Sequence, residues 1–484
     1  MFSTLAQAQE RVTPEAAASQ LTAALSVISG GTLATPEHPL QVTPDGNAFK
    51  VRVPLPNMIE PRDAALTAQA RPLAAGVWEI TSAALPAAGA LTALQAGPQP
   101  PARIAYTIGG QTITGRIDPS LAQPSPFKIE LRDLVVMADD GKDLSKQTIG
   151  RNLIDGVVTG EPGNRMTVRA QTTMADWRIG VRDDSGVMRD ITIRSAASSA
   201  ELEGIDRTQG DKLRTLMQSF IGSAQAASAS GKPPELTAPQ RAQLAGMVSA
   251  LKDLLNRLNI EETVEGIHFQ GPSDTEGDIG RVRVAMTGES RDDRLNANID
   301  LALHDLKVSN VPPPFAAYLP SMLQIRPALA GVRTSAVLRF LQHAVDGASP
   351  DALQAEALAL LTQPGARIGI ESLTYSAGPL QLEGSGRMLP PSGGVPGVEA
   401  HVKARGIDAT LAMLQRDPNM QQAMPVIFLI KGMAKSQGDA LVWDVAFNDG
   451  ALTVNGVPFG QSPQQPQAQA PAKPAQQKKR PEQR

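Results

Sequence analysis

Apolar and polar positions alternate along much of this chain, and the alternation predicts strands. "RMTVRAQT" puts Met166, Val168 and Ala170 on one side and Arg165, Thr167, Arg169 and Gln171 on the other. One dry and one wet side imply an antiparallel sheet. "FKVRV" and "RVRVAM" alternate in the same way. The longest run, "LNANIDLALHDL", sets Leu295, Ala297, Ile299, Leu301 and Leu303 against Asn296, Asn298, Asp300 and His304, which predicts one long strand. Short strands are expected from about 48 to 194 and sheet again from about 262. "WRIGVRDDSGVMRDITI" reads as a hairpin turning near Asp184-Ser185-Gly186. "MADDGKD" reads as the same kind of turn, because it lacks the Asp/Asn/Gly/Glu register of a calcium loop.

The period changes to three and four in several places. Residues 14–29 predict a helix with Thr13 as N-cap, Pro14 at its first position and Gly30-Gly31 at its end. "DKLRTLMQSFIGSA" carries a stripe of Leu213, Leu216, Met217, Phe220 and Ile221. After the breaker "SGKPPE", "LTAPQRAQLAGMVSALKDLLNRL" opens on a capping box, Thr237 and Gln240. Its stripe is Leu244, Met247, Val248, Leu251, Leu254, Leu255 and Leu258, so the helix is expected to reach Leu258. "VPPPFAAYLPSMLQIRP" reads as a loop or interrupted helix. Ser349-Pro350 caps a helix to about Leu361, and "IDATLAMLQ" and "PVIFLIKGMAKSQ" read as helical. Between them "ARIGIESLTYSAGPLQLEGSGRM" is a hairpin and "VEAHVKARG" a strand. Strand pairs followed by helices recur at 165–260, 262–362 and 366–436 without a fixed period, so no solenoid is implied.

"DALVWDVAFNDGALTVNG" (Asp439–Gly456) gathers three acids around a tryptophan. Alternation splits the cluster. Trp443, Val445 and Phe447 share one face, Asp444 and Asn448 the other, and Leu452 and Val454 answer from a second strand. "NDG" (Asn448-Asp449-Gly450) is a tight-turn signal, so the stretch reads as a hairpin rather than a reactive site.

Composition narrows the function classes. At 484 residues two or three domains are expected. The net charge of -3 and 3% aromatic content give no basic face or stacking platform for nucleic acid. With no cysteine there is no disulfide, thiolate metal site or cysteine nucleophile. The five histidines, His38, His268, His304, His343 and His401, show no metal-ligand spacing. Gly-x-Ser-x-Gly and phosphate-loop motifs do not occur, and "GSGRML" lacks the third glycine of a dinucleotide fingerprint and sits in a hairpin rather than between strand and helix. No cofactor and no catalytic residue are predicted. Ala6-Gln7-Ala8 resembles a signal-peptidase site, which points to export. Residues 461–484, rich in Pro and Gln, cannot bury a core; Lys478, Lys479 and Arg480 fit contact with an anionic membrane surface.

"GPLQLEGSGRM", "VKARGIDATLAML" and "WDVAFNDGALTVNGVPFG" together resemble an uncharacterised family of exported proteobacterial proteins, loosely similar to AsmA-like envelope proteins. The resemblance covers about 366–460, with a fainter likeness over 262–310. It implies a cell-envelope location and a long curved β-sheet, and it supplies no catalytic residue. The chain departs from that pattern in showing no membrane anchor.

The expected fold is α+β, with long antiparallel curved sheets and amphipathic helices packed on the apolar face. The expected divisions are an N-terminal helix at 1–31 with a remnant of an export signal at 1–8, a β-rich domain at 32–200, a helical pair at 201–260, an α+β domain at 261–460 and a tail at 461–484. Such a sheet has more apolar face than its helices cover. The expected function is therefore a non-enzymatic periplasmic protein whose concave face binds lipid or supports envelope assembly. The lining candidates are Leu295, Ile299, Leu301, Leu303, Ile368, Ile370, Leu380, Leu382, Trp443, Val445 and Phe447. A protein-interaction module with a fully covered core is the alternative, a hydrolase using a carboxylate pair the third reading, and the cytoplasm the alternative location. The expected partners are lipid or an envelope protein.

Overall fold

The computed structural model of the chain describes residues 12–459, apart from 30–36, 56–58, 62, 74–75, 94–101, 119–120, 122–123, 140–143, 162–163, 183–186, 229–236, 252–253, 255, 272–274, 313–314, 393–394, 417–423 and 449. Helix α1 (Pro14–Ser29) precedes β1 (Gln41–Asp45), β2 (Ala48–Pro54), β3 (Ala65–Pro72), β4 (Trp78–Ala84), β5 (Ala88–Ala93), β6 (Ala102–Ile117), β7 (Pro124–Asp139), β8 (Leu144–Glu161), β9 (Arg165–Arg182) and β10 (Met188–Asp206). Next come α2 (Arg207–Ser228), α3 (Ala238–Ala250), β11 (Arg257–Gln270), β12 (Glu276–Arg291), β13 (Arg294–Val308), a 3-10 turn (Phe315–Tyr318) and β14 (Met322–Arg333). The rest is α4 (Thr334–Asp346), α5 (Pro350–Leu361), β15 (Arg367–Ala377), β16 (Leu380–Ser392), β17 (Val395–Arg405), α6 (Ile407–Leu414), α7 (Met424–Gly432), β18 (Lys435–Gln437), β19 (Ala440–Asn448), β20 (Ala451–Val454) and β21 (Val457–Phe459).

All 21 strands belong to one antiparallel sheet. Strands pair in chain order, except that β4 and β5 both lie on β6 and that β17, β18 and β20 all lie on β19. Among the described residues β1 pairs only with β2 and β21 only with β20, so the ladder is open. β10 and β11 pair directly, carrying the sheet past α2 and α3. The helices leave the sheet at fixed ends. α2–α3 and α4–α5 follow strand ends that share one edge, and α3 packs against α4; α6–α7 leave from the opposite edge.

Local chemistry explains most boundaries. Thr13 Oγ1 accepts the Ala16 N–H at 3.2 Å at the start of α1, and Ser349 Oγ accepts that of Ala352 at 3.3 Å in α5. Thr237 and Gln240 complete the capping box. Four expectations fail. "PVIFLIKGMAKSQ" is helical only to Gly432, because Lys435–Gln437 pair with Ala440–Val442 as β18. The strands of the first half are long: β6 to β10 run 16 to 19 residues. The helix expected to reach Leu258 ends at Ala250; the Asp206 N–H donates to the Leu254 carbonyl and the Asn256 N–H to the Glu203 carbonyl, so Leu258 joins the ladder opposite Leu202. "SMLQIRP" is mostly strand β14, and α4, capped by Gly347 at φ +81°, has no counterpart in the expected elements. The expectations for residues 1–8, Gly30-Gly31, "SGKPPE", the Asp184-Ser185-Gly186 turn, 140–143, Leu255, Asp449 and 461–484, and for the side chains of Phe220 and Ile221, fall outside the described residues.

A line of special backbone crosses eight strands at one height. Asp133, Asp176, Gly266 and Asp305, on β7, β9, β11 and β13, have φ of +50° to +63°. Between them in register stand Gly109, Gly150, Arg194 and Gly280, and the ladder skips each of these positions. The glycines are there because space is short: a Cβ on Gly109 would lie 2.8 Å from Asp133 Cβ. Apolar parity switches across this line. β13 runs Leu295 to Leu303 on odd numbers, then Leu306 and Val308; β10 has Ala196, Ala200 and Leu202 on even numbers, then Ile193 and Ile191. Ile108, Ile149 and Ile193, beyond the line, are buried. Gly109→Ala is expected to cost about 1–3 kcal/mol in urea unfolding through overpacking, whereas Gly76→Ala, with open space around it, costs only the strain of its φ of +76°.

Candidate functional site

Residues directly opposite each other in an antiparallel ladder point to the same face. Following partners from strand to strand gives one transverse row through seventeen strands: Val42, Val51, Ala68, Ala83, Ile113, Ile129, Ile154, Thr172, Ser198, Glu262, Val284, Leu301, Ile325, Leu373, Gly384, Val402 and Trp443. Only Thr172, Ser198 and Glu262 interrupt its apolar character, and the rows on either side bridge them. One runs Leu303, Val282, Val264, Ala196, Met174. The other runs Ile299, Met286, Ile260, Ala200, Ala170.

The eleven lining candidates lie on this face. Leu301 and Trp443 are in the central row itself. Leu303 connects through Leu323 and Tyr375 to Leu382, with Leu380 two residues along. Ile370 connects through Gly386 and Ala400 to Val445. Ile368 stands opposite Leu329, which faces Ala297, two residues from both Leu295 and Ile299. Phe447 stands opposite Val398 and Leu452. Their exposure differs. Trp443 is buried, but Val284, Ile299, Leu301 and Leu323 form a patch 36% to 39% exposed in mid-sheet.

Each end of the face has a cover. At the N-terminal end Ala17, Leu21 and Ala24 of α1 share a cluster with Phe49, Val51, Val53, Trp78 and Ile117. An apolar cavity of about 490 Å³ runs on from there, lined by Leu21, Leu25, Val51, Ile113, Phe127 and Ile129 among others. At the far end Trp443 Nε1 donates to the Ile430 carbonyl of α7 at 2.7 Å, and Asn455 Nδ2 to the Met433 carbonyl at 2.6 Å. Tyr375 OH donates to the Tyr318 carbonyl, and Tyr318 OH to the Thr410 carbonyl of α6.

The opposite face is a ladder of cross-strand ion pairs. Arg169 meets Glu201, Glu265 lies between Arg194 and Arg281, and Arg387 meets Glu399. Glu130 accepts from Arg132 and Arg151, which hold its carboxyl below the ordinary range; the Arg132 hydrogen bond is the larger influence, and burial opposes it. Asp444 is likewise lowered, by hydrogen bonds from His401 and then Lys435. The three acids of the Asp439–Gly456 stretch therefore do not converge: Asp439 pairs with Arg405, Asp444 with His401 and Lys435, and Asp449 lies outside the described residues. His268 and His343 are single partners of Asp278 and Glu356. Among the described residues no three His, Asp or Glu side chains gather as a metal ion requires. A cavity of about 1240 Å³ holds none of the candidates; Glu203, Arg257, Glu289, Asp292 and Asp293 are among its lining, a polar surface on which acids outnumber bases.

Sequence reading missed the central part of this face in the first half of the chain, where Ile113, Ile129 and Ile154 continue it. The parity switch at the Gly/Asp line hides the alternation there, and the line itself was the available signal: a Gly or Asp flanked by hydrophobics of opposite parity in seven of eight successive strands, with Arg194 in the eighth.

Residues 212–463 match a family described as "Uncharacterized protein conserved in bacteria" (DUF2125), and the chain belongs to it. The match begins within α2 and takes in β11 to β14 as well as the stretch at 366–460. No curated protein and no solved structure matches the chain. Among the described residues no helix is long and apolar enough to cross a membrane.

Proposed function

We propose that this member of the DUF2125 family is a non-enzymatic cell-envelope protein that holds the acyl chains of lipids along the apolar face of its sheet. The observation that supports this most is the mostly apolar row of positions from Val42 to Trp443, with a half-exposed apolar patch on the strands in its middle. Apolar surface gains about 25 cal/mol per Å² when taken out of water. A mostly apolar row that leads from this patch toward an apolar cavity at one end of the sheet suits an elongated apolar ligand better than a compact polar one. The line of left-handed residues would curve the sheet around such a ligand, because bends of this kind turn a strand out of its plane. The helices then act as covers over the ends of the face. A periplasmic location fits the absence of cysteine and the likeness to AsmA-like envelope proteins, and the ion-pair ladder gives the outer face its solubility.

The test is the lipid content of the purified full chain. Mass spectrometry after organic extraction is expected to find phospholipid in roughly molar amounts with the wild type and at least tenfold less with Leu301→Glu, which puts a charge where an acyl chain would lie. A lipid-free wild type that also fails to bind an apolar dye would sink the reading.

A further inference from the structure

α7 is apolar on almost every side. Its sequence is "MPVIFLIKG", and Val426, Phe428, Leu429 and Ile430 are each 45% to 55% exposed. At 100° per residue these four sweep an outward arc of about 200°, while Ile427, within the remaining arc, is half-buried. An exposed run of this kind is costly in water, and the helix is too short to span a bilayer. Its position adds to this. α7 sits on Trp443, the last residue of the central row, and Asn455 ties it to the turn before β21. There Val457, 58% exposed, extends the apolar patch.

Charge lies beside the patch. Lys431 closes the helix, paired with the open Asp408, and Arg416 follows α6. β21 ends at Phe459, and the sequence from 460 onward carries Lys473, Lys478, Lys479, Arg480 and Arg484 against the single acid Glu482. In sequence, the strand that carries Val457 is thus followed by an uncharged run and then, from Lys473 on, by a strongly basic stretch.

We propose that α7 and Val457 form a docking surface that inserts into the headgroup region of an anionic bilayer, with the basic stretch after Phe459 held against the lipid phosphates. A protein groove takes a one-sided stripe at i, i+3, i+4 and i+7. An outward arc of about 200° without a polar residue is more than such a groove covers, whereas the acyl boundary of a bilayer takes it whole. Adjacent basic residues complement anionic lipid. Docking here brings the Trp443 end of the apolar face close to the membrane; that lipid then moves onto the face rests on the acyl-binding reading above, while docking does not.

The experiment is flotation of the full chain with vesicles of phosphatidylcholine and phosphatidylglycerol at 7:3, with pure phosphatidylcholine alongside. The wild type is expected to float with the anionic vesicles, less so in high salt. Phe428→Glu with Leu429→Glu, at exposed positions that leave the fold intact by circular dichroism, is expected to lower partitioning at least tenfold. Lys478→Gln, Lys479→Gln and Arg480→Gln together should lower it on the order of a hundredfold on anionic vesicles and little on neutral ones. Wild type that stays unbound, or a double variant that floats as well as wild type, overturns the proposal, as does concentration-dependent self-association through α7 with no vesicle binding. Leu301→Glu separates the two readings: it should lose co-purified lipid and still float.

Discussion

Replacing Trp78 with alanine is expected to destabilise the N-terminal end of the sheet by about 3–5 kcal/mol. Trp78 is fully buried, at the centre of the cluster that joins α1 to β2 and β6. Its ring meets that of Phe49 edge to face, with centroids 5.8 Å apart and planes at 66°, an arrangement that adds to simple burial. Its Nε1–H has no hydrogen-bond partner among the described residues. The loss is therefore one of packing, and Trp78→Phe, which keeps much of the burial and removes the unpaired donor, should cost well under half as much. The damage should also be local. Each strand touches mainly its two neighbours, so stability is shared over short range, as in repeat architectures. Hydrogen exchange checks this: amides of β1 to β4 should lose protection in Trp78→Ala while those of β11 to β17 keep theirs. Equal loss throughout would mean that the sheet unfolds as one unit.

That locality also explains what could be read from the sequence. Antiparallel pairing needs only alternation and turn residues, which are local, so "LNANIDLALHDL", the hairpin at 366–388 and the Trp443 hairpin were legible. The capped helices α1, α5 and the start of α3 were legible because Thr13, Ser349 and Thr237 act within three residues of themselves. Where a distant strand competes, local pattern misleads. Leu251, Leu254 and Leu258 keep helical spacing, yet β10 offers the chain at 254–258 a ladder, and the helix stops. The candidate face was legible strand by strand from its alternation. Its continuity was not, because that is a property of register between strands up to 50 residues apart, such as β10 and β11, and of the Gly/Asp line that shifts parity in eight of them.

The same register places a carboxylate under two arginines, and its loss is the second large effect. Asp300 lies on the polar face of β13 with its side chain 9% exposed. It accepts from Gln324 Nε2 at 2.7 Å, Arg283 Nη1 at 2.8 Å and Arg326 Nη2 at 3.0 Å, and Arg283 also donates to Glu261. Asp300→Ala would leave both guanidinium groups without this partner. Because they are 33% and 47% exposed, water offsets part of the penalty of a broken buried pair, and the expected cost is about 2 kcal/mol. The pH dependence follows from the same contacts. Burial works to raise the Asp300 pKa, but the hydrogen bonds from Gln324 and Arg326, the charge of Arg326 and the hydrogen bond from Arg283 together leave it lowered. Glu261 is also lowered, first by its hydrogen bond from Arg283. A carboxylate whose folded pKa lies below its unfolded value contributes fully above the unfolded value, near pH 4 for these groups. That contribution fades as pH falls from about 4 through the lower folded pKa. Urea midpoints of the wild type should thus be level between pH 6 and 8 and fall below pH 4, and Asp300→Asn should start lower and fall less. A variant whose acid limb matches that of the wild type would assign the acid sensitivity to the other carboxylates of the ladder, Glu130 and Asp444 first among them.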